Sequence, residues 1–196
     1  MNTPESNTAA ESEKLRRSAK PGIAVPATGP RAYLITFAGY GTWLHGDEDG
    51  SVDRQHNVYG LAVCKPDSGR EKLEHLRMKK SAFVMSDAAQ RVTVLSAIGE
   101  VCEQRGWWLF AAHVRTSHVH AIVQAGDPPE KVMNDFKAYA SRRLNELARC
   151  AGNRWARHGS TRRLWNQEQV NHAIHYVLHE QGEPMAVYAA PGVCKQ

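Results

Sequence analysis

Residues 107–124 read WWLFAAHVRTSHVHAIVQ, and the fold turns on how this stretch divides. Trp107 to Val114 and Val119 to Gln124 each have the length and the apolar, aromatic and β-branched composition of a strand. Between them lies only the short polar turn Arg115-Thr116-Ser117, and a connection that short joins antiparallel neighbours. Side chains alternate along a strand, so His118 and His120 point to one side and Val119 to the other. Two imidazoles so placed can hold one divalent ion while Val119 anchors the strand in the core. Taken alone, a His-x-His pair is a weak signal. The chain has ten histidines, and two of them alternating by chance on a half-exposed strand would read the same.

Working outward toward the N-terminus, a helix is expected from the N-cap candidate Ser86. Its Val92, Leu95, Ile98, Val101 and Cys102 share one face, and Gly106 follows its end. Before it come a helical region from Arg70 to Phe83 and a long loop, GYGTWLHGDEDGSVDRQHNVYG (residues 39–60), rich in Gly, Asp and Asn. Arg31 to Ala38, RAYLITFA, is a first strand. Residues 1–30 are polar and aperiodic and read as a disordered arm. Toward the C-terminus, Pro128 and Pro129 open a helix whose apolar set is Val132, Phe136, Ala140, Leu144 and Leu147. The segment RWARHGSTRRLW (residues 154–165) is expected as a strand or as a hairpin around His158-Gly159-Ser160. A last helix runs from Gln167 to Gln181, ended by Gly182 and Pro184.

This order predicts one α+β domain over residues 31–190. It is a ferredoxin-like (RRM-like) antiparallel sheet with helices packed on one face. That architecture hosts many functions and decides none.

The last helix narrows the choice. At about 100° per residue, Val170, Ile174, Val177 and Leu178 form one apolar stripe. Tyr176 and Glu180 lie together on its flank, one turn apart, so a phenol and a carboxylate emerge side by side. A lone helical tyrosine is ordinarily a packing residue. A Tyr-x-x-x-Glu pair downstream of a His-x-His strand is a narrower pattern. Tyr139 follows Phe136 by three residues and sits near its helix's apolar face, where packing is its job. Tyr188 falls after Pro184 in an expected loop, with no carboxylate one turn away.

Charge points to an anionic partner, with a formal net charge of +5 over 196 residues. Between Lys131 and Arg163, nine basic residues face only Asp135 and Glu146. Lys137, Arg142, Arg143, Arg154, Arg157, Arg162 and Arg163 are the candidate DNA contacts, with Trp155 and Trp165 offering stacking faces for unpaired bases. A solvated basic face with two core tryptophans would read the same. The four cysteines stand singly, without a CxxC pair, which excludes a zinc ribbon and a disulfide scaffold. No apolar run is long enough to span a bilayer, and the first residues lack a signal peptide's apolar core, so the expected location is the cytoplasm.

With these motifs together, the chain resembles the single-tyrosine HUH transposases of small insertion sequences, particularly the branch associated with repetitive extragenic palindromes. The likeness covers Arg31 to Met185. It rests on YGTWLHGD after the first strand, the HVH strand, the FKAYASRRLN helix, the segment GSTRRLW and the final tyrosine helix. The resemblance implies Tyr176 as nucleophile. It implies His118, His120 and Glu180 as metal ligands, with Gln181 the substitute for Glu180. It also implies Mg²⁺ or Mn²⁺ as cofactor, and a monomer or homodimer. The reaction it implies is cleavage and rejoining of single-stranded DNA with hairpin or palindromic ends through a 5′-phosphotyrosine. Relaxases and replication initiators share this chemistry but often place their tyrosine before the HUH strand, and here it comes after. A domesticated or catalytically inactive DNA- or RNA-binding module of the same fold is the alternative, although the strands lack the aromatic pattern of RNA-recognition domains.

Overall fold

The computed structural model describes residues 29–42, 67–69, 76, 78, 81–147 and 153–193. The arm read at the N-terminus lies outside them up to residue 28, and the long loop beyond residue 42 does too. The helix expected from Arg70 to Phe83 falls outside save residues 76, 78 and 81–83, and the last three are not helical.

Strand β1, Ala32–Ala38, is buried along almost its whole length because each face packs on a different apolar cluster. Tyr33, Ile35 and Phe37 point into the larger cluster, while Ala32 and Leu34 point into a smaller one behind the sheet. Helix α1, Ala88–Arg105, starts one residue later than the expected cap, because Asp87 and not Ser86 accepts the Ala89 amide. It ends at Gly106, whose φ of 67° is the left-handed conformation that suits glycine. Strands β2, Trp108–Val114, and β3, His118–Gln124, form the expected hairpin, closed by Arg115 N–H donating to His118 O at 2.9 Å. Helix α2, Pro129–Leu147, buries Val132, Met133, Phe136, Ala140 and Leu144 against α1 and the sheet.

Of strand and hairpin, the segment 154–165 takes the strand, laid along β1 as an isolated bridge followed by a regular stretch. Tyr40 N–H and Ala156 N–H bond to Arg154 O and Ala38 O, Trp155 bridges Gly39, and β4, Ser160–Leu164, pairs with residues 32–36. The vacant edge of β1 supplies a longer ladder than the segment could make by folding on itself. Helix α3 is Gln167–His179, and β5, Ala186–Ala189, pairs with β2 where a loop was expected.

All pairings are antiparallel, in the order β4-β1-β3-β2-β5. The first six elements, β1-α1-β2-β3-α2-β4, are the ferredoxin-like layer, with α1 and α2 on one face as expected. Helix α3 is added on the opposite face, where Val170, Ala173, Ile174 and Val177 meet Ala32, Leu34, Ala111, Ile122 and Leu164. Among the described residues no helix is long and apolar enough to cross a membrane.

Candidate active site

Strand β3 divides as its alternation requires. Val119, Ala121 and Val123 enter the core under α1 and α2, which leaves His118 and His120 on the α3 face. Across the sheet at the level of His120 stand Ser160, Thr36 and His113, by the registers of β4 with β1, β1 with β3 and β3 with β2. The two imidazoles of the HVH motif lie edge to face with ring centroids 4.8 Å apart. His118 Nδ1 is 2.9 Å from Ser117 Oγ, and His120 Nδ1 is 2.8 Å from Thr36 Oγ1. Burial first, then the neighbouring His118, His113 and Arg115, push His120 down to about 3, while the Gln181 side chain, as an acceptor, raises it. At neutral pH the His120 ring is therefore uncharged, which is the form that ligates metals.

Helix α3 brings the tyrosine. Asn166 caps its first turn by accepting from Gln169 N–H at 2.8 Å, and its apolar stripe docks on the sheet. Tyr176 then projects from the flank with its ring centroid 5.7 Å from that of His120. It keeps 38% of its surface exposed, so a substrate can reach it. Tyr139 and Tyr188 pack against the core on the other face of the sheet. Tyr139 donates to Gln104 Oε1 at 2.6 Å, and burial pushes the Tyr188 hydroxyl up.

The expected third ligand is placed differently. Glu180 is the C-cap of α3, and its Oε1 lies 2.9 Å from His175 Nδ1 on the exposed side of the helix. Gln181, one residue on, lies beside His120, and its Nε2 donates to Tyr176 O at 3.4 Å. Past the end of the helix the chain no longer advances by 100° per residue, so helical spacing stops being a guide to direction. Among the described residues no three His, Cys, Asp or Glu side chains gather as a metal cluster.

The expected DNA contacts separate. Lys137 Nζ donates to Ala156 O at 2.9 Å and His158 O at 3.1 Å, and so pins the segment before β4. Arg154 is buried and bonds to Asn145. Arg143 forms ion pairs with Glu100 and Glu146, and Arg142 stacks on Tyr139, both on the α1–α2 side. Arg162 alternates with Thr161 and Arg163 and shares the α3 face with Leu164. Arg157 and Arg163 are exposed. Trp155 is a core residue, edge-on to Phe37 and donating to Ser141 Oγ, whereas Trp165 is 58% exposed.

Sequence reasoning missed three residues at this site: Thr36, His113 and Arg115. Thr36 left a trace as the one aliphatic hydroxyl in a strand otherwise made of apolar and aromatic residues. His113 left none, because a β-bulge in β2 between Leu109 and Ala111 reverses the alternation after it. Unbulged pairing would set Ala112 beside His120 and turn His113 toward the core.

Comparison with known proteins follows this geometry. No curated protein matches the sequence. A solved structure of a REP-associated tyrosine transposase bound to a REP hairpin is similar at 12% identity and a TM-score of 0.42, over 81% of this chain and 70% of that one. The family model described as transposase IS200 like matches residues 76–178, a span that includes the HVH strand and Tyr176. That match takes in more than half of the 196 residues, and the chain belongs to the IS200-like transposase family.

Proposed function

We propose that the protein cleaves and rejoins single-stranded DNA carrying hairpin or palindromic ends, with Tyr176 as the nucleophile. The observation that carries this reading is the placement of Tyr176. It is the tyrosine whose ring lies against His120, on the face that His118 shares, while Tyr139 and Tyr188 are on the other. The Tyr176 hydroxyl attacks the phosphorus of the scissile diester, the bond to the 3′ oxygen breaks, and a 5′-phosphotyrosine forms. The departing 3′ oxygen takes up a proton in place of the one the phenol gives up, so charge and atoms balance. The phosphotyrosine keeps the ester's energy, and attack by a second 3′-hydroxyl joins a new strand and frees the tyrosine.

The residues present suit a divalent ion. Thr36 Oγ1, 2.8 Å from His120 Nδ1, can take the Nδ1 proton, which would leave Nε2 to the ion once Gln181 turns from the ring to the ion. His118, His120 and the Gln181 amide oxygen would hold the ion, with Glu180 the alternative to Gln181. Mg²⁺ favours all-oxygen sets, so two imidazoles suit Mn²⁺ better. When bound, the ion withdraws charge from the phosphate under attack. Arg162 and Trp165 are suited to follow a single strand, one contacting phosphates and the other stacking on a base.

The test is covalent capture. End-labelled hairpin-bearing single strands incubated with Mn²⁺ should give an adduct that peptide mapping places on Tyr176. Tyr176→Phe, which deletes one oxygen, should give none while retaining DNA affinity. An adduct on another tyrosine, or cleavage by water with no adduct, would refute the assignment.

A further inference from the structure

The reacting groups sit at the end of a helix and in the turn beyond it, where a chain is ordinarily loose. One buried ring ties both ends of this stretch to the sheet. His113 has no exposed surface. Its Nδ1 is 3.1 Å from Val177 O, and its Nε2 is 3.3 Å from Met185 N. A carbonyl only accepts and an amide only donates, so the ring proton is on Nδ1. One imidazole thus ties down a carbonyl in the last turn of α3, where intrahelical donors run out, and the amide that leads into β5. Arg115 makes a third tie between these two, donating to Glu183 O at 3.1 Å.

The stretch bracketed by the His113 bonds, residues 177–185, contains Gln181 and begins next to Tyr176. A slip of α3 by one residue would turn its side chains by about 100° and carry Tyr176 away from His120. A valine or leucine would fill the same volume without burying two polar nitrogens, so packing alone does not account for a histidine here. The bulge in β2 is what brings the ring to this face.

We propose that His113 is a positioning residue that locks the end of the tyrosine helix to the sheet, so that Tyr176 and Gln181 face His120. The proposal rests on the reading of Tyr176 and Gln181 given above.

The experiment compares wild type with His113→Leu, which keeps bulk and loses both bonds, at a fixed interval below each protein's Tm. The readouts are the single-turnover rate of adduct formation in Mn²⁺, the DNA Kd in chelator, and amide hydrogen exchange. The expected result is a rate at least tenfold lower, a Kd within threefold of wild type, and faster exchange confined to residues 177–186. A rate within threefold of wild type would overturn the proposal. So would exchange that rises equally through α1 and α2, which marks general destabilisation. If His113→Leu does not fold, two polar variants decide. Asparagine places an amide nitrogen near the Nδ1 position and keeps the helix bond, whereas glutamine keeps an acceptor near Nε2 for Met185 alone. His113→Asn at least fivefold faster than His113→Gln supports the role, and equal or reversed rates overturn it. If wild type itself forms no adduct, the nuclease reading falls. The exchange data then decide alone: local loosening upholds the lock, and its absence refutes it.

Discussion

His120 combines near-complete burial with three polar neighbours, and that environment makes a measurable prediction. Its folded value of about 3 lies below the ordinary 6.5, so the unfolded chain binds more protons between those two pH values. Stability is therefore complete above about pH 6.5 and is lost as pH falls toward 3, at up to about 1.4 kcal/mol per pH unit. Urea midpoints of wild type and His120→Asn in chelating buffer should converge as pH falls, and parallel profiles would refute the buried neutral ring. The neighbouring question is which oxygen completes the site. Gln181 lies beside His120 while Glu180 is paired with the exposed His175. Gln181→Ala should weaken Mn²⁺ binding and slow adduct formation by about 10- to 100-fold, the range typical of groups that orient or complete metal sites. Glu180→Ala should change both less than threefold. The reverse order in a titration would return the role to Glu180.

At the scale of elements, two outcomes share one cause. The segment 154–165 was open between strand and hairpin and the residues after Pro184 were expected as loop, and each completes a strand on an exposed edge of the sheet. A strand edge offers unpaired amides and carbonyls to any extended segment within reach. Lys137 secures the first of these junctions. Burial pushes its ammonium down to about 8, so it stays mostly charged at neutral pH while the carbonyls of Ala156 and His158 accept from it. Lys137→Met should cost about 1–3 kcal/mol of stability in denaturant titrations, because it removes charge-assisted hydrogen bonds to the carbonyls of Ala156 and His158. Loss of DNA affinity without loss of stability would show that the amine serves phosphate instead. Gly159 marks the same junction, since a Cβ there would come within 2.5 Å of Thr36 O and 2.6 Å of Met133 Sδ. The chain crosses β1 too closely for any other residue.

For the whole molecule, net positive charge matters less than which face of the sheet carries it. Arg143 is spent on Glu100 and Glu146 behind the sheet, whereas Arg162 stands on the α3 face. Single-strand affinity should fall with salt at a slope of about −0.7 per phosphate contact. Arg162→Ala should make that slope shallower by about 0.7 at unchanged fold, and Arg143→Ala should leave it as in wild type. Equal effects from both would mean that the strand crosses the α1–α2 side as well.

The sequence by itself determined the hairpin, the sharing of one face by His118 and His120, the amphipathic helices and the place of Tyr176 on a helical flank. These follow from periods of 2 and about 3.6 residues, which are local properties of the backbone. Tertiary structure decided what periodicity does not reach. A bulge between Leu109 and Ala111 reversed the alternation of β2 and set His113 opposite His120. The end of α3 broke the helical step, so Glu180 turned to His175 while Gln181 came beside His120. Lys137 and Arg143 were engaged by partners distant in sequence, the carbonyls of Ala156 and His158 and the carboxylate of Glu100. Each depends on which surfaces meet once the chain is packed, and a pattern along one strand or helix carries no record of its partner across the core.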